Sequence, residues 1–206
     1  RAVIDVPDGA SVRFAAQGNS TVETVMIFSD SIIDNTGSQN GIESVVIALP
    51  EDASVELSGN FGIVEVETSS VTVNVEDSSI DQLIVASTAI DAEINLNHTT
   101  TVGSLVCDAQ CQILGEGQIA SAFINVNGVT LEQRPRNLTL PKGIKVNIAG
   151  IELNSGYSDT TGSMTDPTEG SGSDTGSSGH GGNSSGSGSG STGSGDGGGS
   201  SGSGNS

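Results

Sequence analysis

The stretch Ile47-Ala-Leu-Pro-Glu-Asp-Ala-Ser-Val-Glu-Leu57 decides the fold, because the chain contains two further versions of it. One is Ile4-Asp-Val-Pro-Asp-Gly-Ala-Ser-Val-Arg-Phe14, and the other is Leu138-Thr-Leu-Pro-Lys-Gly-Ile-Lys-Val-Asn-Ile148. In each version, two short alternating apolar runs flank a turn that begins with proline. Proline ends the first run because it has no N–H group to donate to a β-ladder. Each version therefore predicts a strand, a corner and a second strand.

A six-residue motif recurs between these stretches, and its first, fourth and sixth positions are apolar in every copy. Successive copies start 20, 19, 19, 22 and 17 residues apart. A drifting period of this size is typical of stacked repeats, in which each repeat is one supersecondary unit. The copies are Val22–Ile27, Ile42–Ile47, Phe61–Val66, Ile80–Val85, Val102–Cys107 and Ile119–Ile124.

These patterns predict an all-β fold, a parallel β-solenoid (β-helix) of about eight coils over residues 1–153. Equivalent positions stack along a solenoid, so Val45, Val64, Leu83 and Leu105 should form one continuous internal row. An antiparallel β-sandwich is the rival fold, since it also has short strands separated by turns. A sandwich does not place equivalent positions of a repeat in one continuous internal row. Helical apolar spacing is absent, and β-branched residues are frequent.

Composition divides the chain into two parts. Residues 1–153 are rich in Val, Ile, Asn and acidic residues, whereas residues 154–206 are almost entirely Gly, Ser, Thr and Asp. Such a segment buries too little apolar surface to offset chain entropy, which costs about 1–2 kcal/mol per residue. We therefore predict a disordered linker or stalk over residues 154–206.

The net charge of −19 argues against nucleic acid and anionic lipid as partners, because both require a basic surface. No apolar run is long enough to span a bilayer. The chain begins at Arg1 and not at Met, so we expect that an N-terminal segment, such as a signal peptide, has been removed.

The two cysteines, Cys107 and Cys111, lie on either side of a predicted corner. Both side chains are expected to point into the same narrow interior, where a disulfide is geometrically feasible. Two buried free thiols and a redox site are the alternatives. A disulfide would place the protein in an oxidising compartment. Sequons for N-glycosylation, which also requires a secretory pathway, occur at Asn19, Asn97, Asn137 and Asn183.

The fifth position of the six-residue motif should face outward, and it is apolar in five of six copies. A solvent-facing apolar stripe often marks an interface, although a further strand or loop of the chain could cover it. The predicted interface residues are Met26, Val46, Ile84, Val106 and Phe123.

Catalytic residues are not predicted. The chain has no Trp, its one Tyr opens the predicted tail, and two histidines cannot support an argument for a Ser-His-Asp arrangement. No cofactor is predicted either, although several carboxylates could collect Ca²⁺, which prefers oxygen ligands. More often such carboxylates only make the outer face of a strand hydrophilic. The residues are Glu65, Glu67, Glu76, Asp77, Asp81, Asp91 and Glu93.

The segment Gly115–Pro135, followed by the stretch 138–148, resembles the terminal coils of β-solenoid modules in secreted bacterial cell-surface proteins, including S-layer-associated ones. In those modules a Gly-x-Gly-x-Ile-x-x-Ala coil leads into Gly-Val-x-x-Glu-x-x-Pro. The resemblance is structural and brings no catalytic residues to this chain.

Together these observations predict a non-enzymatic extracellular or cell-surface module, structural or adhesive, displayed on a flexible stalk. Its expected partners are other surface or matrix proteins, a second copy of itself, or polysaccharide. The alternatives are a carbohydrate-binding or carbohydrate-active β-helix and an ice-binding solenoid. The threonines do not recur at one repeat position, which disfavours the ice-binding alternative.

Overall fold

The structure, a computed structural model, describes residues 1–6, 10–38, 41–154 and 158–159. All regular structure in these ranges is β, and the strands stack as a parallel β-solenoid of about seven turns. The strands are β1 Ala2–Ile4, β2 Val12–Gly18, β3 Val22–Ile27, β4 Ser31–Ser38, β5 Ile42–Ile47, β6 Ser54–Val66, β7 Thr72–Val85, β8 Ala92–Leu96, β9 Thr101–Cys107, β10 Cys111–Gly115, β11 Gln118–Ile124, β12 Val129–Leu131, β13 Asn137–Thr139, β14 Lys145–Ile148, β15 Ile151–Asn154 and β16 Ser158–Asp159.

The strands pair in two parallel series, which we call the first and second faces. The first face contains β1, β3, β5, the second half of β6, the second half of β7, β9, β11 and β13. The second face contains β2, β4, the first halves of β6 and β7, β8, β10, β12 and β14. Each coil contributes one strand to each face, which explains the period of about twenty residues.

The register confirms the internal row predicted from the sequence. Val45 pairs with Val64, Val64 with Leu83, and Leu83 with Leu105, and all four side chains are 0% exposed. The sixth motif position forms a second fully buried column beside this row: Ile27, Ile47, Val66, Val85, Cys107 and Ile124. On the second face Val73 and Ile94 pair in the same way, and both are buried. The parallel pairing rules out the antiparallel sandwich.

Two corners separate the faces in each coil. The wide corner links a first-face strand to the next second-face strand, and residues 48–53 form it in the coil that contains the opening stretch. The tight corner links the second face to the first face, and β6 runs through it without a break. Gly59 stands there at φ 110°, where an added Cβ would lie 2.5 Å from the backbone carbon of Asn35. Only glycine fits this approach between neighbouring coils.

The ends of the solenoid differ from its middle. β1 and β13 have three residues each, so the terminal coils are only partly formed. The structure has about seven turns, close to the number of about eight coils that the sequence predicted. At the C-terminal end the pairing becomes antiparallel, with β15 on β14 and β16 on β13. Such a reversal ends the parallel stack and covers part of its edge.

The predicted tail over residues 154–206 lies outside the described residues apart from 154 and 158–159. The boundary at 153/154 therefore stays a prediction, as does the disordered stalk. The corner of the first proline-led stretch, at residues 7–9, also lies outside the described ranges.

Candidate functional site

The outer surface of the first face carries the predicted apolar stripe. Alternation along each strand turns the fifth motif position outward, between the two buried positions four and six. These outward residues pair from coil to coil, so they form one straight column. We call this column the apolar stripe, and its members are Val3, Met26, Val46, Glu65, Ile84, Val106 and Phe123.

The stripe is exposed to solvent within the described structure. Val3 is 57% exposed and Phe123 is 42% exposed, while the five residues between them are partly exposed. With rungs about 4.8 Å apart, seven residues extend over roughly 30 Å. The alternative that a third strand or loop covers this column therefore does not hold for the described residues. Their use as an interface stays a prediction.

Sequence reasoning missed Val3, which pairs with Met26 and extends the stripe by one rung. The first coil has only a three-residue strand on this face, so the six-residue motif is absent there and gave no signal. The Pro-led stretch Ile4–Phe14 could have placed Val3 beside the last buried position of the strand.

A mostly polar column runs alongside the apolar stripe, at the third motif position. Its members also pair from coil to coil. The apolar exception, Ile63, is 39% exposed and lies in the same coil as Glu65. In that single coil the third motif position is apolar and the fifth is polar, which is the reverse of the other coils. The column consists of Thr24, Ser44, Ile63, Gln82, Ser104 and Ser121.

A shallow side groove follows the edge of the first face next to the tight corner. It consists of two adjoining depressions of about 400 and 230 Å³, which share Ser79 and Asp81. Glu43 and Asn60 line the first depression together with Gly62. A Cβ at Gly62 would lie 2.5 Å from the carbonyl oxygen of Glu43, so the coils approach closely and no side chain fills the groove there. Sequence reasoning did not identify this groove, because the second motif position has no constant residue type.

The carboxylates predicted as calcium ligands are spread over the surface. Glu65 lies in the apolar stripe, whereas Asp77 lies at the tight corner with φ 47° and accepts a hydrogen bond from the hydroxyl of Thr99 at 2.6 Å. Asp91 accepts one from the amide of Gln110 at 3.1 Å. Within the described ranges, no three His, Cys, Asp or Glu side chains come together as metal ligands. Calcium binding stays a prediction.

Cys107 and Cys111 are brought together, as the sequence predicted, but they are free thiols in the structure. Cys107 is 0% exposed and Cys111 is 1% exposed. A hydrogen bond to Cys111, followed by burial, raises the pKa of the Cys107 thiol well above its ordinary value. The disulfide stays a prediction.

The sequons occupy different surroundings. Asn19 is exposed at a turn. The side-chain oxygen of Asn97 accepts hydrogen bonds from the hydroxyls of Thr99 and Thr100, both at 2.8 Å, and therefore holds its own corner. The amide nitrogen of Asn137 donates to the carbonyl oxygen of Ala120 at 3.2 Å. Asn183 lies outside the described residues. Glycosylation of all four stays a prediction.

Comparisons with known proteins add one likeness. No protein-family model matches the chain, and no curated protein matches it. The chain is similar to part of a bacterial chitinase. The solved structure is chitinase ChiW from Paenibacillus sp. str. FPU-7, described as a bacterial cell-surface-expressed multi-modular enzyme machinery. The TM-score is 0.59 and the identity 28%, over 81% of this chain and 15% of the chitinase chain. This chain therefore corresponds to a small part of that protein's length.

No helix in the described part of the chain is both long and apolar enough to cross a membrane.

Proposed function

We propose that the chain is a non-enzymatic extracellular module of a cell-surface protein, and that it adheres to another protein through the apolar stripe. The observation that carries the proposal is the stripe itself, an in-register apolar column left open to solvent. Exposed apolar patches of this kind are typical of interaction sites. The cell-surface location is supported by the likeness to a small part of a multi-modular cell-surface chitinase.

Charge decides between a second copy and a different protein as the partner. Glu65 is the fourth of the seven stripe residues, so it lies at the midpoint of the column. A two-fold axis that laid one stripe on another would bring two Glu65 carboxylates together, and like charges at an interface are costly. Each copy also carries a net charge of −19. The fitting partner is therefore a flat apolar protein surface with a Lys or Arg side chain opposite Glu65.

Adhesion to surfaces of defined chemistry tests this proposal. The chain is passed over monolayers that end in methyl and ammonium groups, in methyl and carboxylate groups, or in hydroxyl groups, and retention is measured with a quartz microbalance. We expect the strongest retention on the methyl–ammonium monolayer. Ile84→Ser should lower the binding constant at least about tenfold, since burial of an isoleucine side chain contributes roughly 1.5–3 kcal/mol.

Ile32→Ser is the matched control, because Ile32 occupies an outward column of the second face, between Arg13 and Glu56. It should leave retention unchanged. Equal losses in the two variants, or equal retention on the hydroxyl monolayer, would show that the stripe is not the adhesive surface. The chain should also be monomeric by light scattering, and a stable dimer would contradict the choice of partner.

Polysaccharide binding is the second candidate function. The side groove supports it, because Glu43, Asn60 and Asp81 offer hydrogen-bonding groups along an open channel beside the strands. The likeness to a chitinase makes chitin the first polymer to test. A pull-down with insoluble chitin tests this function. If the parent chain and Ile84→Ser bind chitin but the double variant Glu43→Gln with Asp81→Asn does not, the side groove and not the apolar stripe is the functional surface. Release of soluble sugars would contradict the non-enzymatic assignment.

A further inference from the structure

The two cysteines flank a wide corner of three residues, as short as the corner between β3 and β4. Cys107 is the last residue of β9, Cys111 is the first of β10, and only residues 108–110 lie between them. The preceding coil uses residues 86–91 for the same corner, and the following coil uses residues 125–128. A short corner holds its two flanking residues at a small separation, which a disulfide requires.

The surroundings of the two thiols are apolar. Cys107 stacks between Val85 and Ile124, and Cys111 pairs with Ala92, all of them buried. In the preceding coil the equivalent pair is therefore Val85 and Ala92, which shows that apolar side chains other than cysteine can fill these two positions. The chain has just two cysteines, and both stand at these two positions of one coil. Packing alone does not require a cysteine at both positions of the same coil.

We propose that Cys107 and Cys111 form a disulfide while the chain folds, before this coil closes, and that the closed solenoid then shields the bond from reductants. Each thiol gives up one proton, and together the two give up two electrons to an oxidant of the disulfide class, such as oxidised glutathione. That oxidant is converted to two thiols, and one S–S bond forms in the protein. The inference is independent of the adhesive role.

Exchange chemistry explains why the bond must form early. The thiolate is the attacking species in thiol–disulfide exchange. In the closed coil the Cys107 thiol is hydrogen-bonded to Cys111 and buried, and its raised pKa leaves little thiolate. Both sulfur atoms are also out of reach of an oxidant, since the residues are 0% and 1% exposed. Exchange in the folded protein therefore has to wait for a local opening.

The first experiment determines the redox state. The full chain is produced through a secretory route, unfolded in guanidinium with iodoacetamide, and weighed by intact-mass spectrometry. We expect no adduct, and two adducts only when a phosphine reductant acts on the unfolded chain first. Two adducts without reduction would overturn the proposal.

The second experiment determines the order of events. The reduced chain is refolded without oxidant and then exposed to oxidised glutathione, either folded or in guanidinium. Oxidation should be at least about 100-fold slower in the folded protein, because the coil must open first. Equal rates would overturn the proposed order. The double variant Cys107→Val with Cys111→Ala carries the residues of the preceding coil, and an unchanged circular dichroism spectrum will show that the coil closes without the cysteines.

Discussion

Leu83→Ala is the perturbation that tests the stacking of the coils most directly. Leu83 is 0% exposed and lies in the internal row between Val64 and Leu105. Its truncation removes buried methyl groups and leaves a cavity that the rigid ladders on both sides cannot close. Buried Leu→Ala substitutions cost about 2.7–5 kcal/mol. We expect about 3 kcal/mol, which corresponds to a fall in Tm of roughly 6–12 °C for a domain of this size.

Ile84→Ala is the matched control, since Ile84 is the next residue along the same strand and points outward into the apolar stripe. It removes a similar number of atoms from a partly exposed position, so it should cost less than about 1 kcal/mol. Urea unfolding followed by circular dichroism gives both free energies of unfolding. Equal costs for the two variants would refute the alternation of inward and outward residues on which the solenoid depends.

Three further changes have definite expected outcomes. The pKa of Asp34 is lowered to about 2 by hydrogen bonds from Thr36 and Arg13. Because the folded pKa lies below the unfolded value, this contribution is complete above about pH 4 and is lost as the pH falls towards 2; it amounts to at most about 1 kcal/mol at this partly solvated site. Urea unfolding of Asp34→Asn across that range should show a flatter pH dependence than the parent chain, and parallel curves would contradict this. Gly59→Ala places a Cβ against the neighbouring coil at positive φ and should cost more than about 1 kcal/mol, whereas the equivalent change at Gly37, where the nearest atom lies 3.5 Å away, should cost little. Thermal melts of the two glycine variants measure the difference, and similar Tm values would count against the close approach at Gly59. Asn97→Ala removes the acceptor that holds its corner and should cost about 1 kcal/mol; an unchanged Tm would show that the corner does not depend on it.

The recurrence of one apolar motif was sufficient to predict the architecture. Stacking forces equivalent positions into the same environment, so the row through Val45 and Val64 could be predicted before any coordinates were known. The outward stripe followed from the same alternation, and Met26 and Phe123 lie where they were predicted. The structure has about seven turns, which is close to the predicted number of about eight coils.

The side groove could not be predicted in this way. It depends on the distance between the coils at Gly62 and on the side chains of Glu43 and Asp81, which lie far apart in the sequence. The midpoint position of Glu65 in the stripe also became significant only when the register placed Val3 at the far end. The sequence pattern predicts which residues face outward, but it does not predict the depth of the grooves between their side chains.

Local alternation and a period of about twenty residues therefore determine that this chain is a β-solenoid, since side-chain direction in a strand is set by residue parity and each coil repeats the same pattern. The groove at the tight corner and the antiparallel reversal at the C-terminal end were decided by tertiary structure alone. Each of them depends on the separation of atoms in different strands or coils, and that separation is set by packing across the narrow interior rather than by any local preference of the chain.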